Sequence, residues 1–340
     1  MKALIYEGPK QMHIREAERP EPAEEEVLIR VVYSGICGSE LSGYLGHNAL
    51  RQPPLIFGHE FAGTIEAIGE RAARQTTLSA GQRVTGNPLV TCGLCSYCLA
   101  GRQQLCTSRK LLSAALPGSN AEWVKLPARF VYPLPDHVPF TQGALAEPLA
   151  CGVRAAELAA PRPGDRAIVF GLGPIGLFVI QALQVYGVET IYAVDLHRER
   201  LDMAEELGAK PIDPKAGDVA AEVRAGGALG VEIAVDAVGS GITRRQCAEL
   251  TAPGGKVVFT GLHEAESPLP VNVMIRNEIT GFGSFAYSAA NFETALRLLA
   301  EGKAGFPEDW LAEAPLEEGA FWYEKLLGNP GKVAKVLLRP

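Results

Sequence analysis

Residues 166–176 read RAIVFGLGPIG, in which a short apolar run of β-strand character leads directly into a glycine-rich turn and an apolar, helix-forming segment. The turn has the pattern Gly-x-Gly-x-x-Gly, with its glycines at Gly171, Gly173 and Gly176. In such a loop the first glycine permits a tight turn, the second lets the backbone approach a pyrophosphate, and the third lets the helix pack closely on the strand. The stretch therefore predicts a dinucleotide-binding βα unit, with a glycine turn that binds no nucleotide as the alternative.

The residues after the turn extend this prediction. The helix begins at Pro174 and Ile175, and the free N–H groups and partial positive charge of a helix N-terminus favour phosphate. Asp195 ends the next apolar run, 19 residues after the last glycine of the turn. A carboxylate there can accept hydrogen bonds from the adenosine ribose and would repel a 2′-phosphate, so the sequence favours NAD over NADP. Arg200 is assigned to the same cofactor site, and because an arginine there could also accommodate a 2′-phosphate, NADP stays open.

The rest of the chain shows two further kinds of pattern. Residues 149–287 alternate between apolar runs of strand character and helix-forming segments, which predicts a parallel, doubly wound sheet. Residues 1–148 read as short β segments separated by glycine, proline and acidic turns, which predicts a small barrel-like domain. Residues 288–340 are mixed, with helix-forming NFETALRLLAEGK and a terminal KVAKVLLRP of strand character. We therefore predict an α/β protein with two domains.

Composition excludes several classes of protein. The chain has 340 residues, more than one core usually supports, and its hydrophobic content of 47% is ordinary for a globular protein. A formal net charge of −7 gives no basic surface for nucleic acid. The sequence contains no apolar run of about 18 residues, which is the length that would predict a transmembrane helix. The opening MKALIYEGPKQMHI lacks the layout of a signal peptide, so we expect a cytoplasmic protein without membrane partners.

Four of the seven cysteines fall within fifteen residues, in the spacing C-x2-C-x2-C-x7-C. Short C-x2-C turns place thiolates on one side of a loop, and four sulfurs complete a tetrahedral zinc shell. Because four protein ligands close the shell, we predict a structural zinc in a lobe at about residues 88–110. Redox-active cysteines and an iron–sulfur site are the alternatives. The four residues are Cys92, Cys95, Cys98 and Cys106.

A second set of metal-binding residue types occurs earlier in the chain. Cys37 lies in GICGSE, and His59 and Glu60 lie in FGHE. A thiolate, an imidazole and a carboxylate would form an open zinc site, in which a water or a substrate completes the shell. A lone histidine beside a glutamate is more often structural, so the spacing by itself does not establish this site.

Taken together, these motifs resemble the zinc-containing medium-chain dehydrogenase family. The match in order and spacing extends over essentially the whole chain and joins Cys-Gly-Ser-Glu at 37–40, Gly-His-Glu at 58–60, the four-cysteine lobe and the GLGPIG turn. The resemblance implies a GroES-like β-barrel domain that carries a catalytic zinc, at 1–148. It also implies a Rossmann NAD-binding domain at 149–287 and a C-terminal segment, 288–340, that rejoins the first domain.

The resemblance also implies roles for single residues. Cys37 and His59 would be ligands of the catalytic zinc, and Glu60 would bind it directly or after rearrangement. Glu147 in LAEPLA resembles the Glu-Pro motif of the sorbitol, threonine and galactitol-phosphate branches, where this glutamate is a zinc ligand or a partner of its water. Ser39 would hydrogen-bond the alcohol and pass on its proton.

Some positions depart from the family pattern or stay open. Glu40 stands where the family has an aspartate that orients the zinc-binding histidine, and Ser42 replaces a relay histidine. His47 is nearby and is as readily a surface residue as a relay. We further predict three pocket residues by position in the family pattern, although a polar pair at 119–120 could equally shape a turn, and two buried cysteines outside both metal sites. The pocket residues are Tyr44, Phe57 and Asn120, and the buried cysteines are Cys151 and Cys247.

The function implied is zinc-dependent transfer of a hydride from a secondary alcohol, such as a polyol or sugar alcohol, to NAD, which gives a ketone. Zinc would lower the pKa of the substrate hydroxyl, and the nicotinamide would take the hydride. Two zinc ions and one NAD per chain are expected. A threonine- or aldehyde-type zinc dehydrogenase and a non-catalytic NAD-binding sensor are the alternatives. The family also implies a homo-oligomer, a tetramer or dimer, paired near Glu278–Ser284.

Overall fold

The computed structural model describes residues 1–328 and 331–340, and these form two compact units. Unit 1 comprises Met1–Glu147 and Ser288–Pro340, and unit 2 comprises Pro148–Tyr287. The first boundary falls one residue before the predicted one, and the C-terminal segment belongs to unit 1.

The secondary structure follows the predicted order of a β-rich part, an alternating part and a mixed end. The strands are β1 (Lys2–Gly8), β2 (Gln11–Glu16), β3 (Glu26–Gly35), β4 (Leu55–Ile56), β5 (Glu60–Ile68), β6 (Arg83–Gly86), β7 (Leu89–Val90), β8 (Lys110–Leu111), β9 (Trp123–Pro127), β10 (Val131–Pro133), β11 (Arg166–Phe170), β12 (Thr190–Val194), β13 (Lys210–Ile212), β14 (Val231–Asp236), β15 (Thr251–Phe259), β16 (Thr280–Gly283), β17 (Leu311–Pro315) and β18 (Lys335–Arg339). The helices are α1 (Gly38–Tyr44), α2 (Glu70–Gln75), α3 (Ser96–Leu99), α4 (Phe140–Gly143), α5 (Ala146–Ala159), α6 (Pro174–Val185), α7 (Arg198–Glu206), α8 (Val219–Val223), α9 (Gly241–Leu250), α10 (Val271–Arg276), α11 (Ala289–Ala300) and α12 (Gly319–Gly328).

Unit 1 is organised around β3. The main sheet runs in the order β10-β6-β5-β3-β18-β17, and β9 also pairs with β3. A smaller sheet, β2-β1-β4, and the β7–β8 hairpin complete the unit. Because β3 is antiparallel to both β5 and β18, the C-terminal end of β3 meets the N-terminal ends of both neighbours. This junction is where the sequence analysis places the second metal site.

The core of unit 1 includes residues that we expected in a substrate pocket. Tyr44 and Phe57 belong to a buried apolar cluster, in which Phe57 packs against the rings of Tyr6 and Tyr323. Asn120 is also fully buried, and its side chain hydrogen-bonds to other side chains of the unit. Packing in the folded unit therefore takes all three residues into its interior, and their assignment to a substrate pocket stays a prediction.

Unit 2 contains the predicted parallel sheet. Its six strands run in the order β13-β12-β11-β14-β15-β16, and every neighbouring pair is parallel. This is the doubly wound order, with β11 at the centre next to the strand where the order reverses. The apolar run 167–170 is buried because strands of such a sheet are covered on both faces. The α/β prediction is confirmed.

Two further observations concern the helices. The helix-forming segment around 141–160 is two helices, α4 and α5, separated by a two-residue break. Among residues 1–328 and 331–340, no helix combines the length and apolarity that crossing a bilayer requires.

Candidate active site

Strand register brings the second set of metal-binding residues together. Gly35 at the end of β3 pairs with Glu60 at the start of β5. Cys37, two residues beyond Gly35, and His59, which precedes Glu60, therefore lie at the same junction. A side chain at position 35 would obstruct this junction, because a Cβ atom there would lie 2.4 Å from Oε2 of Glu60.

The three side chains form a potential metal site. Sγ of Cys37, a ring nitrogen of His59 and a carboxylate oxygen of Glu60 all lie within 4.8 Å of one another. Thiolate, imidazole and carboxylate are the ligand types of zinc, and three protein ligands leave a fourth position for water or substrate. The donor set therefore fits a catalytic zinc. Glu147 lies outside this group of three, half-buried in the first turn of α5.

Glu40 orients the histidine of this site. Its Oε1 accepts hydrogen bonds from Nδ1 of His59 at 2.7 Å and from the N–H of Gly58 at 2.7 Å. Its Oε2 accepts one from the hydroxyl of Tyr323 at 3.1 Å. Because a carboxylate only accepts, Nδ1 of His59 is the donor and Nε2 is left for a metal. Burial alone would raise the pKa of Glu40, but the neighbouring His59, together with Arg51, lowers it to about 2.

A buried lysine contacts the third candidate ligand. Nζ of Lys335 donates to both carboxylate oxygens of Glu60, at 2.6 and 2.8 Å, and to the carbonyl of Ile36 at 3.1 Å. Lys335 reaches this position because β18 pairs with the end of β3, Leu337 opposite Gly35. Burial alone would lower the pKa of Lys335, but Glu60 and Cys37 outweigh burial and raise it, so the ammonium stays charged.

The cysteine lobe has the geometry of a closed metal site. The four sulfurs of the lobe lie within 4.8 Å of one another. Sγ of Cys92 is 3.6 Å from Sγ of Cys106 and 3.9 Å from Sγ of Cys98, and a tetrahedron with Zn–S bonds of about 2.3 Å has edges of about 3.8 Å. Hydrogen bonds from the N–H groups of Leu94 and Cys95 lower the pKa of Cys92 to about 6, which favours the thiolate that a metal binds. The four residues therefore fit a structural zinc.

The glycine turn of unit 2 has the conformation that a pyrophosphate requires. Gly171 has a φ of +85°, in the left-handed region that favours glycine. Gly173 caps α6, and a Cβ atom built on it would meet no atom within 4 Å, so the backbone is open to a ligand. A Cβ atom on Gly176 would lie 1.8 Å from the carbonyl oxygen of Gly171, so α6 could not approach the strand with any other residue there. Pro174 and Ile175 form the first turn of α6 and are half-buried.

Asp195 follows β12 beside this turn. Its Oδ2 accepts a hydrogen bond from the N–H of Leu172 at 2.7 Å, and its Oδ1 accepts one from the N–H of His197 at 2.9 Å. The carboxylate is thus held next to the glycine turn and remains half-exposed. Arg200 is buried, which lowers its pKa, although the charge of Asp195 opposes this effect.

The structure adds four residues to those read from the sequence. Lys335 could have been noticed as a lone lysine within the apolar terminal run VAKVLL. No sequence signal distinguishes the others, because each reaches the site through distant contacts. Of the two cysteines expected to be buried, Cys247 is buried and Cys151 is only partly so. The four added residues are Arg51, Ser113, Tyr323 and Lys335.

One unit of the chain is a Rossmann sheet with an open glycine turn. The other contains three side chains of the types that bind zinc and a lobe of four cysteines. This combination defines a metal-dependent dehydrogenase. The zinc-binding dehydrogenase model matches residues 174–301, and the alcohol dehydrogenase GroES-like domain model matches residues 23–136. The chain belongs to the zinc-dependent alcohol dehydrogenase family. The GroES-like and Rossmann predictions are confirmed, and zinc and a nicotinamide dinucleotide are the cofactors of this enzyme class.

Individual relatives match along nearly the whole chain. Sorbitol dehydrogenase of Bacillus subtilis is 31% identical and covers 100% of this chain and 97% of its own length. "Probable D-xylulose reductase A" of Aspergillus clavatus is 32% identical and covers 88% of this chain and 86% of its own. The crystal structure of a zinc-binding dehydrogenase from Sinorhizobium meliloti, bound to NADP, has a TM-score of 0.91 and 28% identity, and covers 100% of this chain and 99% of its own.

Proposed function

We propose that this enzyme oxidises a secondary hydroxyl of a polyol or sugar alcohol to a ketone and transfers the hydride to NAD. The observation that carries the proposal is the group formed by Cys37, His59 and Glu60, a three-ligand site of the kind that catalytic zinc uses. Similarity to a sorbitol dehydrogenase and a D-xylulose reductase supports a polyol as the substrate.

Cys37, His59 and Glu60 would hold the zinc ion, and the Gly171–Gly176 turn with Asp195 would hold the dinucleotide. When bound, zinc supplies a Lewis acid that lowers the pKa of the substrate hydroxyl, and the nicotinamide accepts the hydride.

The protein's own side chains would prepare the site. Oγ of Ser39 is 3.3 Å from Sγ of Cys37, so its hydroxyl can hydrogen-bond a substrate oxygen beside the metal ligands. Glu40 fixes the ring of His59, and Lys335 balances the charge of Glu60. Glu147 contributes a further negative charge that Lys335 senses. We assign Glu60 as the third ligand and Glu147 as a nearby carboxylate.

The decisive experiment is a screen for NAD reduction at 340 nm (absorbance of NADH) with the zinc-loaded protein. Sugar alcohols, their phosphates, vicinal diols, threonine and aldehydes form the panel. We expect the highest kcat/KM with a polyol, and the activity should disappear when a chelator removes zinc and return when zinc is restored. A preference for threonine or an aldehyde would replace the polyol proposal with that alternative.

A non-catalytic NAD-binding sensor is the remaining alternative, and metal analysis separates it from an enzyme. Two zinc ions per chain would support an enzyme, because one fills each predicted site. One zinc ion, held by the cysteine lobe alone, would favour the sensor.

The seven cysteines form no disulfide, which supports a reducing compartment such as the cytoplasm.

Cofactor preference depends on Asp195. We expect Asp195→Ser to lower the ratio of kcat/KM with NAD to kcat/KM with NADP by about tenfold or more, because the charged partner of the ribose and the repulsion of a 2′-phosphate are both lost. Asp202→Ser is the control, since Asp202 is a partly exposed carboxylate paired with Arg198. An unchanged ratio in Asp195→Ser would show that this carboxylate does not select the cofactor.

We further propose a homo-oligomer, a dimer or tetramer, that pairs through the edge of the parallel sheet. The outer side of β16 has no strand partner among the described residues. Val271 and Ile275 of α10, the helix that precedes β16, are exposed. Such an edge with apolar neighbours can pair with a second copy. Sedimentation velocity should show an oligomer, and Ile275→Lys should shift it towards monomer; a monomeric parent protein would contradict the proposal.

A further inference from the structure

Arg51 is a buried cation beside the candidate active site. It lies between α1 and β4 and is only 4% exposed. Its side chain packs against α1 at Gly43, where a Cβ atom would lie 2.4 Å from Cδ of Arg51. Its guanidinium lies 5.8 Å from the ring centroid of Phe57. The long side chain is therefore held in one place by packing on both sides.

The guanidinium is connected to the site through two hydroxyl groups. Nη2 of Arg51 donates to Oγ of Ser39 at 3.0 Å and to Oγ of Ser113 at 3.2 Å. Ser113 in turn lies 3.1 Å from Nδ1 of His59. Nε of Arg51 is buried and has no hydrogen-bond partner among the described residues. The charge of Arg51 also acts on the nearby carboxylate of Glu40, but its hydrogen bonds go to two serines, and one of them, Ser39, contacts Cys37.

The hydrogen bond to Ser39 determines what that hydroxyl can do. A serine hydroxyl has one donor and two acceptor positions, and Arg51 fills one acceptor position. A guanidinium keeps its protons at any working pH, so this bond has a fixed direction. The O–H of Ser39 must therefore point elsewhere, and it donates towards Sγ of Cys37 at 3.3 Å. A donor to Oγ also makes the O–H a stronger donor, because linked hydrogen bonds polarise one another.

We propose that Arg51 is a positioning residue for the Ser39 hydroxyl. Its hydrogen bond leaves the Ser39 proton on the side of Cys37, where the proton can turn from the sulfur to a substrate oxygen, and it strengthens the hydrogen bond that then forms. The proposal rests on the proposed function, because it assigns Ser39 to the reacting alcohol. Position 42, where the family resemblance would place a relay histidine, is a serine in this chain. Arg51 instead supplies a permanent cation that is hydrogen-bonded to Oγ of Ser39.

A double-mutant cycle tests this role, with Arg51→Gln made both in the parent protein and in Ser39→Ala. In the parent we expect Arg51→Gln to lower kcat for the best substrate by about tenfold or more, with a smaller change in KM for NAD. In Ser39→Ala the same substitution should change kcat by less than about twofold, because the residue through which Arg51 acts is already gone. Arg74→Gln, at an exposed arginine of α2, is the control.

Equal losses in the two backgrounds, or no loss in the parent, would overturn the proposal. Arg51→Lys guards against a folding defect, because it keeps the charge and most of the buried stem. It should fold as the parent does and recover only part of kcat, since an ammonium lacks the planar donor geometry.

A spectroscopic arm does not require a known substrate. Cobalt(II) is exchanged into the catalytic site with zinc kept in the lobe, and the Cys37→Ala protein supplies the baseline. Arg51→Gln should shift the thiolate-to-cobalt charge-transfer band, because the Ser39 O–H that donates to Cys37 is no longer held, and it should cause no shift in Ser39→Ala. Absence of any alcohol oxidation would defeat the proposed function alone, whereas an equal shift in both backgrounds would defeat the role of Arg51.

Discussion

Cys37→Ala should leave one zinc ion per chain where the parent protein holds two, and should lower alcohol oxidation by on the order of 10³-fold or more. Cys37 is the single thiolate of the three-ligand group, so its loss leaves only an imidazole and a carboxylate that is already bound to Lys335. NAD binding should not change, because the glycine turn and Asp195 lie in the other unit. Metal analysis, NADH formation and NAD titration by protein fluorescence measure the three quantities.

Two controls make this result specific. Cys247→Ala also removes a thiol, but from the core of unit 2, and should keep both zinc ions and the parent rate. Cys106→Ala should instead lose the zinc of the lobe. Retention of two zinc ions and full activity in Cys37→Ala would mean that the catalytic metal site has been assigned to the wrong residues.

Lys335→Met should destabilise the metal-free protein by about 3–5 kcal/mol, because it leaves the Glu60 carboxylate buried without its cation. Glu60 is 1% exposed and has both oxygens on Nζ of Lys335, so water cannot replace the lost partner without rearrangement. In the zinc-loaded protein the loss should be smaller, since the metal can compensate the carboxylate. Urea unfolding of each variant, with and without zinc, measures both differences.

The same substitution should also change the metal site. Lys335 and zinc share Glu60, so removal of the lysine should raise the affinity of the catalytic site for zinc in competition with a chelator. It should lower kcat, because Glu60 would then be held on the metal throughout turnover. Lys332→Met is the matched control, as Lys332 is an exposed lysine of the same terminal segment. A weaker affinity for zinc, or an equal loss of stability with and without zinc, would contradict the assigned role.

The parts of this protein that the sequence predicted are those encoded by local pattern. The glycine turn, the four-cysteine lobe and the alternation of strands and helices each lie within a few tens of residues, and each depends on backbone freedom, ligand spacing or periodicity. For that reason the Rossmann sheet and the position of the turn within it followed from residues 166–176 and their surroundings.

Residue roles that depend on long-range packing could be predicted less well from the sequence. Tyr44, Phe57 and Asn120 occupy positions that suggested a pocket, yet the folded unit buries all three. The sequence left open whether Glu60 or Glu147 is the third zinc ligand, and our proposal of Glu60 rests on the pairing of β3 with β5, which brings it close to Cys37.

The sequence by itself determined the dinucleotide fold, the presence of two sets of metal-binding residues and the chemistry of their donor atoms. Only the tertiary structure decided which charges surround the candidate catalytic site. Lys335 lies 275 residues after Glu60 along the chain, and Arg51 reaches Ser39 across α1. Strand register and side-chain packing create these contacts. The contacts depend on where distant segments meet, so they leave no periodic pattern or fixed spacing in the sequence.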